Sequence, residues 1–117
     1  MARSILAYLN DIVAACDSVA VTLEGVDIDA YVANRTVRAA VERELTIIGE
    51  AIGVLSRGDP ALAARISPAR LIVGFRNRLV HEYPQIDDEA VYSIAQHDAP
   101  VLRAECAVLL EQAEDAG

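Results

Sequence analysis

Arg76, His81 and Tyr83 fall within the stretch Phe75-Arg76-Asn77-Arg78-Leu79-Val80-His81-Glu82-Tyr83-Pro84. It combines a permanently charged guanidinium, an imidazole that titrates near neutrality and a phenol with apolar residues able to anchor them to a core. The chemistry on offer is proton transfer beside a fixed positive charge. If the stretch is helical, Ile72, Phe75 and Leu79 share one stripe, and Asn77 and His81, four apart, share another. Arg76 and His81 are five apart, about 140° around an ideal helix, so they point together only if the last turn loosens. Pro84 gives a reason for loosening, because it drives the preceding residue out of the α region. The helix is therefore expected to stop near Glu82. His81 then sits in the last turn, where the carbonyl end of the helix dipole favours the imidazolium, and the Tyr83 hydroxyl lies at an exposed exit. Taken singly, an arginine, histidine or tyrosine near a helix end more often meets solvent or satisfies carbonyls than does chemistry.

The elements that must hold this stretch are helices. Ile5, Leu9, Ile12, Cys16, Val19 and Leu23 recur at intervals of three and four, which predicts a first helix from about Ser4 to Leu23. Gly25 stops it, and Asp27 to Ala33 reads as a short helical turn capped by Asp27 or Asp29. A second long helix is expected from about Arg35 to Ser56, burying Val37, Val41, Leu45, Ile48, Ile52 and Leu55, and ended by Gly58 and Pro60. Glu44 and Glu50 lie off that stripe; such carboxylates are usually solvated, though Glu44 is placed to orient an arginine across a helix pair. Asp59 to Ile66 holds one helical turn, and Ser67-Pro68 has the cap and first-turn proline of a helix start. That third helix, Pro68 to about Glu82, delivers the reactive stretch. Gly74 within it costs about 1 kcal/mol relative to alanine and suggests a close backbone approach. Asp87 and Asp88 cap a last segment from Glu89 to Glu114, with Val91, Ile94, Val101, Leu102, Cys106, Leu109 and Ala113 available for burial. Pro100 predicts a kink or brief break near His97 to Ala99. No strand pattern, glycine-rich phosphate loop, metal-ligand cluster or repeat is present. The expected fold is all-α, an up-and-down bundle of four main helices with a kinked C-terminal helix.

The 117 residues make one domain, 1–117. Apolar residues are 54% of it, above the usual share, which suggests a second buried surface and hence a homodimer. With no unbroken apolar run of membrane-spanning length and no basic, then apolar, leader pattern, the expectation is a cytoplasmic protein without a membrane partner. Cys16 and Cys106 fall on apolar stripes and read as reduced core thiols. The net charge of −8 argues against gripping nucleic acid over the whole surface. Yet five arginines against one aspartate lie between Arg57 and Arg78, whereas nine carboxylates against Arg103 follow from Glu82 onward. Scattered arginines usually form a solvated face. The sharper reading is that Arg65, Arg70, Arg76 and Arg78 border a local phosphate-binding cleft, within an acidic remainder that limits non-specific binding.

The order arginine, polar residue, apolar Leu79 and Val80, histidine, spacer, tyrosine resembles the signature of HEPN domains. The tyrosine two after the histidine resembles the HepT branch, the toxin half of the HepT/MntA type VII-like toxin-antitoxin pairs. Leu45-Thr46-Ile47-Ile48-Gly49-Glu50-Ala51 is similar to a helix segment of that branch, and the resemblance covers essentially the whole chain. It implies a ribonuclease with Arg76 and His81 as catalytic residues in a site composed from two subunits. It also implies that a partner MntA-like nucleotidyltransferase silences the enzyme by transferring AMP to Tyr83. No cofactor or metal is implied.

Metal-independent RNA cleavage needs a base for the 2′-hydroxyl, an acid for the leaving oxygen and positive charge near the phosphoryl oxygens. One copy of the stretch supplies one titrating group. A two-fold dimer with the stretches facing each other supplies two copies of His81 and two of Arg76 around one cleft. Asn77 would hold the imidazole or a phosphate oxygen, Arg65 and Arg70 the RNA, with Arg78 and Glu44 in support. His97 reads as a surface residue. The competing expectation is a non-catalytic helical subunit that docks the nucleotidyltransferase, with Arg76, His81 and Tyr83 serving the interface.

Overall fold

A computed structural model of the chain describes residues 4–67 and 87–116. Among them there is no strand, and the fold is all-α. Helix α1 spans Ile5–Thr22, α2 Ile28–Ala33, α3 Arg35–Gly58 and α4 Pro60–Ala63. The return segment consists of α5, Asp88–Ser93, one π-helical stretch, Ile94–Asp98, and α6, Ala99–Ala116. The expected helix from Pro68 to Glu82, with the close approach at Gly74, lies outside the described residues.

Every helix except α6, which continues from the π-helical stretch, begins where a short polar side chain can satisfy its first free N–H groups. Ser4 caps α1 at the Ala7 amide, Asp27 caps α2 at Ala30 and Asn34 caps α3 at Val37. Between α1 and α2 the chain reverses through Gly25, whose φ of 68° is a left-handed conformation that glycine takes without a Cβ clash. Asp59 works in both directions. Its N–H closes α3 on the Leu55 carbonyl at 2.7 Å, while its carboxylate accepts the Leu62 amide of α4, with Pro60 at the helix start.

Helix α1 packs against both α3 and α6, and their apolar stripes form the core. Leu9, Ile12, Cys16 and Val19 of α1 meet Val41, Leu45, Ile48, Ile52 and Leu55 of α3 and Leu102, Cys106 and Leu109 of α6, all buried. Ile66 closes the core beyond α4 and is buried too. By length and composition α1 is apolar enough to cross a membrane, with a mean hydropathy of 1.4 over 18 residues. Its apolar stripe is here committed to the inside of the bundle.

One expectation needs correction. Val101 is 47% exposed and does not belong to the buried stripe. The seam runs Ala95, Ala99, Leu102, Cys106, Leu109 at spacings of three and four, which leaves Val101 about 100° off it. The kink or brief break expected near His97 to Ala99 takes the form of a π-helical stretch, Ile94–Asp98, just before Pro100. Proline has no N–H to give to the carbonyl four residues back, and its ring crowds that carbonyl. The chain accommodates this one residue earlier by widening a turn: the Ala99 amide reaches back five residues to the Ile94 carbonyl, and α6 follows without interruption. The two cysteines are free and buried, as their stripes imply.

Candidate active site

Of the residues whose chemistry drew notice, Arg70, Arg76, Asn77, Arg78, His81 and Tyr83 lie outside the described residues. Glu44 stands half-buried on α3. Arg65 is exposed just after α4, and its Nη2 donates to Gln112 Oε1 on α6 at 2.7 Å. No hydrogen bond or ion pair joins Glu44 to Arg65 among the described residues. His97 is exposed in the π-helical stretch, as a surface histidine would be.

What the structure defines is how the chain enters and leaves the reactive stretch. On the entering side, residues 65 to 67 run antiparallel to α6. Arg65 holds Gln112, Ile66 is buried in the core, and Ser67 meets Glu105. The Ser67 amide donates to Glu105 Oε1 at 3.0 Å and the Ser67 hydroxyl donates to the same oxygen at 3.1 Å. Glu105 and Gln112 are seven apart, two turns and about 10 Å along one face. Arg65, Ala104, Glu105, Val108 and Leu109 line a cleft of about 260 Å³ beside this contact.

On the leaving side, the Asp87 carboxylate caps α5 by accepting the Glu89 and Ala90 amides. Asp88 pairs with Arg38 of α3 at 3.8 Å, and Arg38 also donates to the Val32 carbonyl. Glu42, one turn on from Arg38, has its carboxyl raised above the usual range, first by burial and then by Asp88. Tyr31 of α2 is fully buried against Tyr92, ring centroids 5.4 Å apart, and its hydroxyl has no hydrogen-bond partner. Burial, then Glu42 and Asp88, push that phenol upward. The Tyr92 hydroxyl instead donates to the Val26 carbonyl at 2.7 Å and accepts from Gln96.

Neither Glu105 nor Arg38 stood out in the sequence. Their partners lie 38 and 50 positions away, and nothing in local spacing marks such a pair.

A family model described as "Ribonuclease HepT-like" matches residues 5–109. That range includes the whole Arg76 to Tyr83 stretch, together with Ser67, Glu105, Arg38 and Asp88 on either side of it. Among curated proteins, "Putative RNase MJ1380" of Methanocaldococcus jannaschii is 30% identical over 107 residues, 92% of this chain and 97% of that protein. "Putative RNase MJ0125" of the same organism is 26% identical over 113 residues, 97% of each chain. "Putative RNase TTE0752" of Caldanaerobacter subterraneus subsp. tengcongensis is 25% identical over 105 residues, 90% of this chain and 93% of that protein. No solved structure gives a significant match.

Proposed function

Since the chain belongs to the HepT-like ribonuclease family, we propose that it is a metal-independent endoribonuclease acting as the toxin of a toxin-antitoxin pair. The observation that carries this reading is the family match, which runs through the stretch that concentrates a guanidinium, an imidazole and a phenol within eight residues. The full-length likeness to proteins named for RNase activity supports it.

In the proposed reaction two subunits face each other across one RNA strand. One His81 takes the proton from a ribose 2′-hydroxyl, and that oxygen attacks the adjacent phosphorus. The bond from phosphorus to the 5′-oxygen breaks as the second His81 protonates the leaving oxygen. The products are a 2′,3′-cyclic phosphate and a free 5′-hydroxyl. The Arg76 pair stands against the phosphoryl oxygens, where charge builds up in the transition state. Asn77 holds an imidazole or a phosphate oxygen. Arg65, Arg70 and Arg78 meet the flanking phosphates, and Glu44 supports an arginine. Arg65 would have to exchange its Gln112 partner for RNA, which an exposed contact permits.

Control is proposed to come from a nucleotidyltransferase partner. Transfer of AMP from ATP to the Tyr83 phenol oxygen, with release of pyrophosphate, would place negative charge and an adenine in the cleft where RNA must enter.

Expression in a bacterial host tests the proposal. The wild type should arrest growth and degrade RNA, His81→Ala at equal protein level should do neither, and co-expression with the partner should add one AMP to Tyr83. If wild type and His81→Ala are both harmless with RNA intact, the chain is a binding subunit for the nucleotidyltransferase. If the toxin is silenced without added AMP, the ribonuclease stands and the modification does not.

A further inference from the structure

We infer that the cleft between the end of α1 and the π-helical stretch is a binding site for a small organic cation, a protonated amine carried on a compact apolar body. The inference stands whether or not the chain cuts RNA. The cleft has a volume of about 350 Å³, within the range of small-molecule sites. Cys16, Leu23, Ala95 and Ala99 form its apolar floor, each no more than 6% exposed. Two features open the space. Ala20, Ala95 and Ala99 put methyl groups where larger side chains would close the gap, and the widened turn just before Pro100 forms part of the wall. Such π-helical turns are frequent where helices line functional sites.

The polar groups of the cleft decide what the floor can accept. Asp17 and Arg103 both line it, but they are joined to each other at 2.9 Å and so offer little net charge. Glu24, also in the lining, follows the last turn of α1, and its carboxylate has no hydrogen bond or ion pair among the described residues. That last turn carries no basic side chain, so the carbonyl end of the helix dipole, which favours positive charge, is left uncompensated. On the facing wall Gln96 donates its Nε2 hydrogen to the Tyr92 hydroxyl at 2.7 Å, which leaves its Oε1 as an acceptor. Pro100 has no N–H, so one backbone carbonyl in the turn that carries Ala95 and Gln96 lacks its helical donor. The groups left without a partner are therefore acceptors. An ammonium brings three donors and no acceptor. A carboxylate or phosphate would meet only Arg103, which Asp17 already holds.

The test titrates the isotopically labelled full chain at pH 7 with benzylamine, benzyl alcohol and benzoate, which share a ring and differ in charge, and follows the backbone amide resonances by NMR. Benzylamine should move the resonances of Ala20, Glu24, Ala95 and Gln96 along a saturable curve. Benzyl alcohol should reach the same residues about threefold more weakly, and benzoate should not bind. Glu24→Gln removes the charge at almost unchanged size; it should weaken benzylamine by about threefold and leave benzyl alcohol as it was. Ala20→Leu, which fills the cleft from an exposed position, should abolish binding of both. The net charge of −8 attracts any cation loosely, so shifts that do not saturate, or that spread over the other carboxylates, would mean surface attraction only and would overturn the inference. So would benzoate binding as tightly as benzylamine, or benzylamine binding unchanged in Glu24→Gln. Should Ala20→Leu fail to fold, Glu24→Gln, at an exposed side chain, decides by the same criteria.

Discussion

Tyr31 packs with all of its surface inside the protein, yet its hydroxyl meets no hydrogen-bond partner. A buried donor left in this state costs about 1–3 kcal/mol, and the ring contact with Tyr92 does not need the oxygen. Tyr31→Phe should therefore raise the free energy of unfolding by about 1 kcal/mol, read from denaturant midpoints at unchanged slope. Glu42 carries a second consequence. Because burial and then Asp88 raise its carboxyl, the folded chain holds that proton more tightly than the unfolded chain. The stabilisation is complete below the unfolded value of 4.5 and is lost as pH rises through the folded one. Glu42→Gln should raise Tm at pH 7 and leave it nearly unchanged at pH 4, checked by thermal melts across that range. The thiols of Cys16 and Cys106 are each pushed up to about 12, first by burial. Alkylation by iodoacetamide at pH 7.5 should be very slow in the native protein and fast in denaturant. The cysteines were legible as core residues because they sit on apolar stripes. Tyr31 was not, since one tyrosine in a six-residue helix has no periodicity to reveal its burial.

Helices were the most legible level. The three-and-four spacing of apolar residues located α1 and α3 to within two residues at either end, because their stripes face one continuous core. Caps were legible for the same local reason at Asp27 and Asp87, each of which sits just before a helix and accepts from an amide three residues on. Asp59 has the widest role, closing α3 and opening α4 at once. Asp59→Ala should cost about 1 kcal/mol of stability, measured by urea unfolding, with helical content otherwise kept. The C-terminal segment was read less well. A proline in a helical pattern signals a break, but the sequence does not say whether the chain bends or widens a turn. The choice between them is made by packing of Ala95, Ala99 and Leu102 against α1, and the widened turn keeps all three buried. Val101 was misplaced because Leu102, one residue on, competes for the same seam and takes it.

At the scale of the whole molecule, a helical frame flanks a stretch whose proposed chemistry calls for two subunits. The frame holds residues 65 to 67 and 87 to 88 through ties to α6 and α3. Those ties were illegible because they pair residues far apart in sequence. The candidate site was proposed from residue types, spacing and the family resemblance, its Arg76 to Tyr83 stretch lies outside the described residues, and its proposed duplication rests on counting: base and acid are two titrating groups, and each chain brings one His81. Subunit mixing reads this count directly. Wild type and His81→Ala are combined at fixed total concentration, allowed to exchange, and assayed for RNA cleavage in excess EDTA. If each site needs both imidazoles, random pairing gives about a quarter of the wild-type rate at equal proportions. A rate near one half, falling in proportion to the wild-type fraction, would show that each chain acts alone and would contradict the two-subunit site.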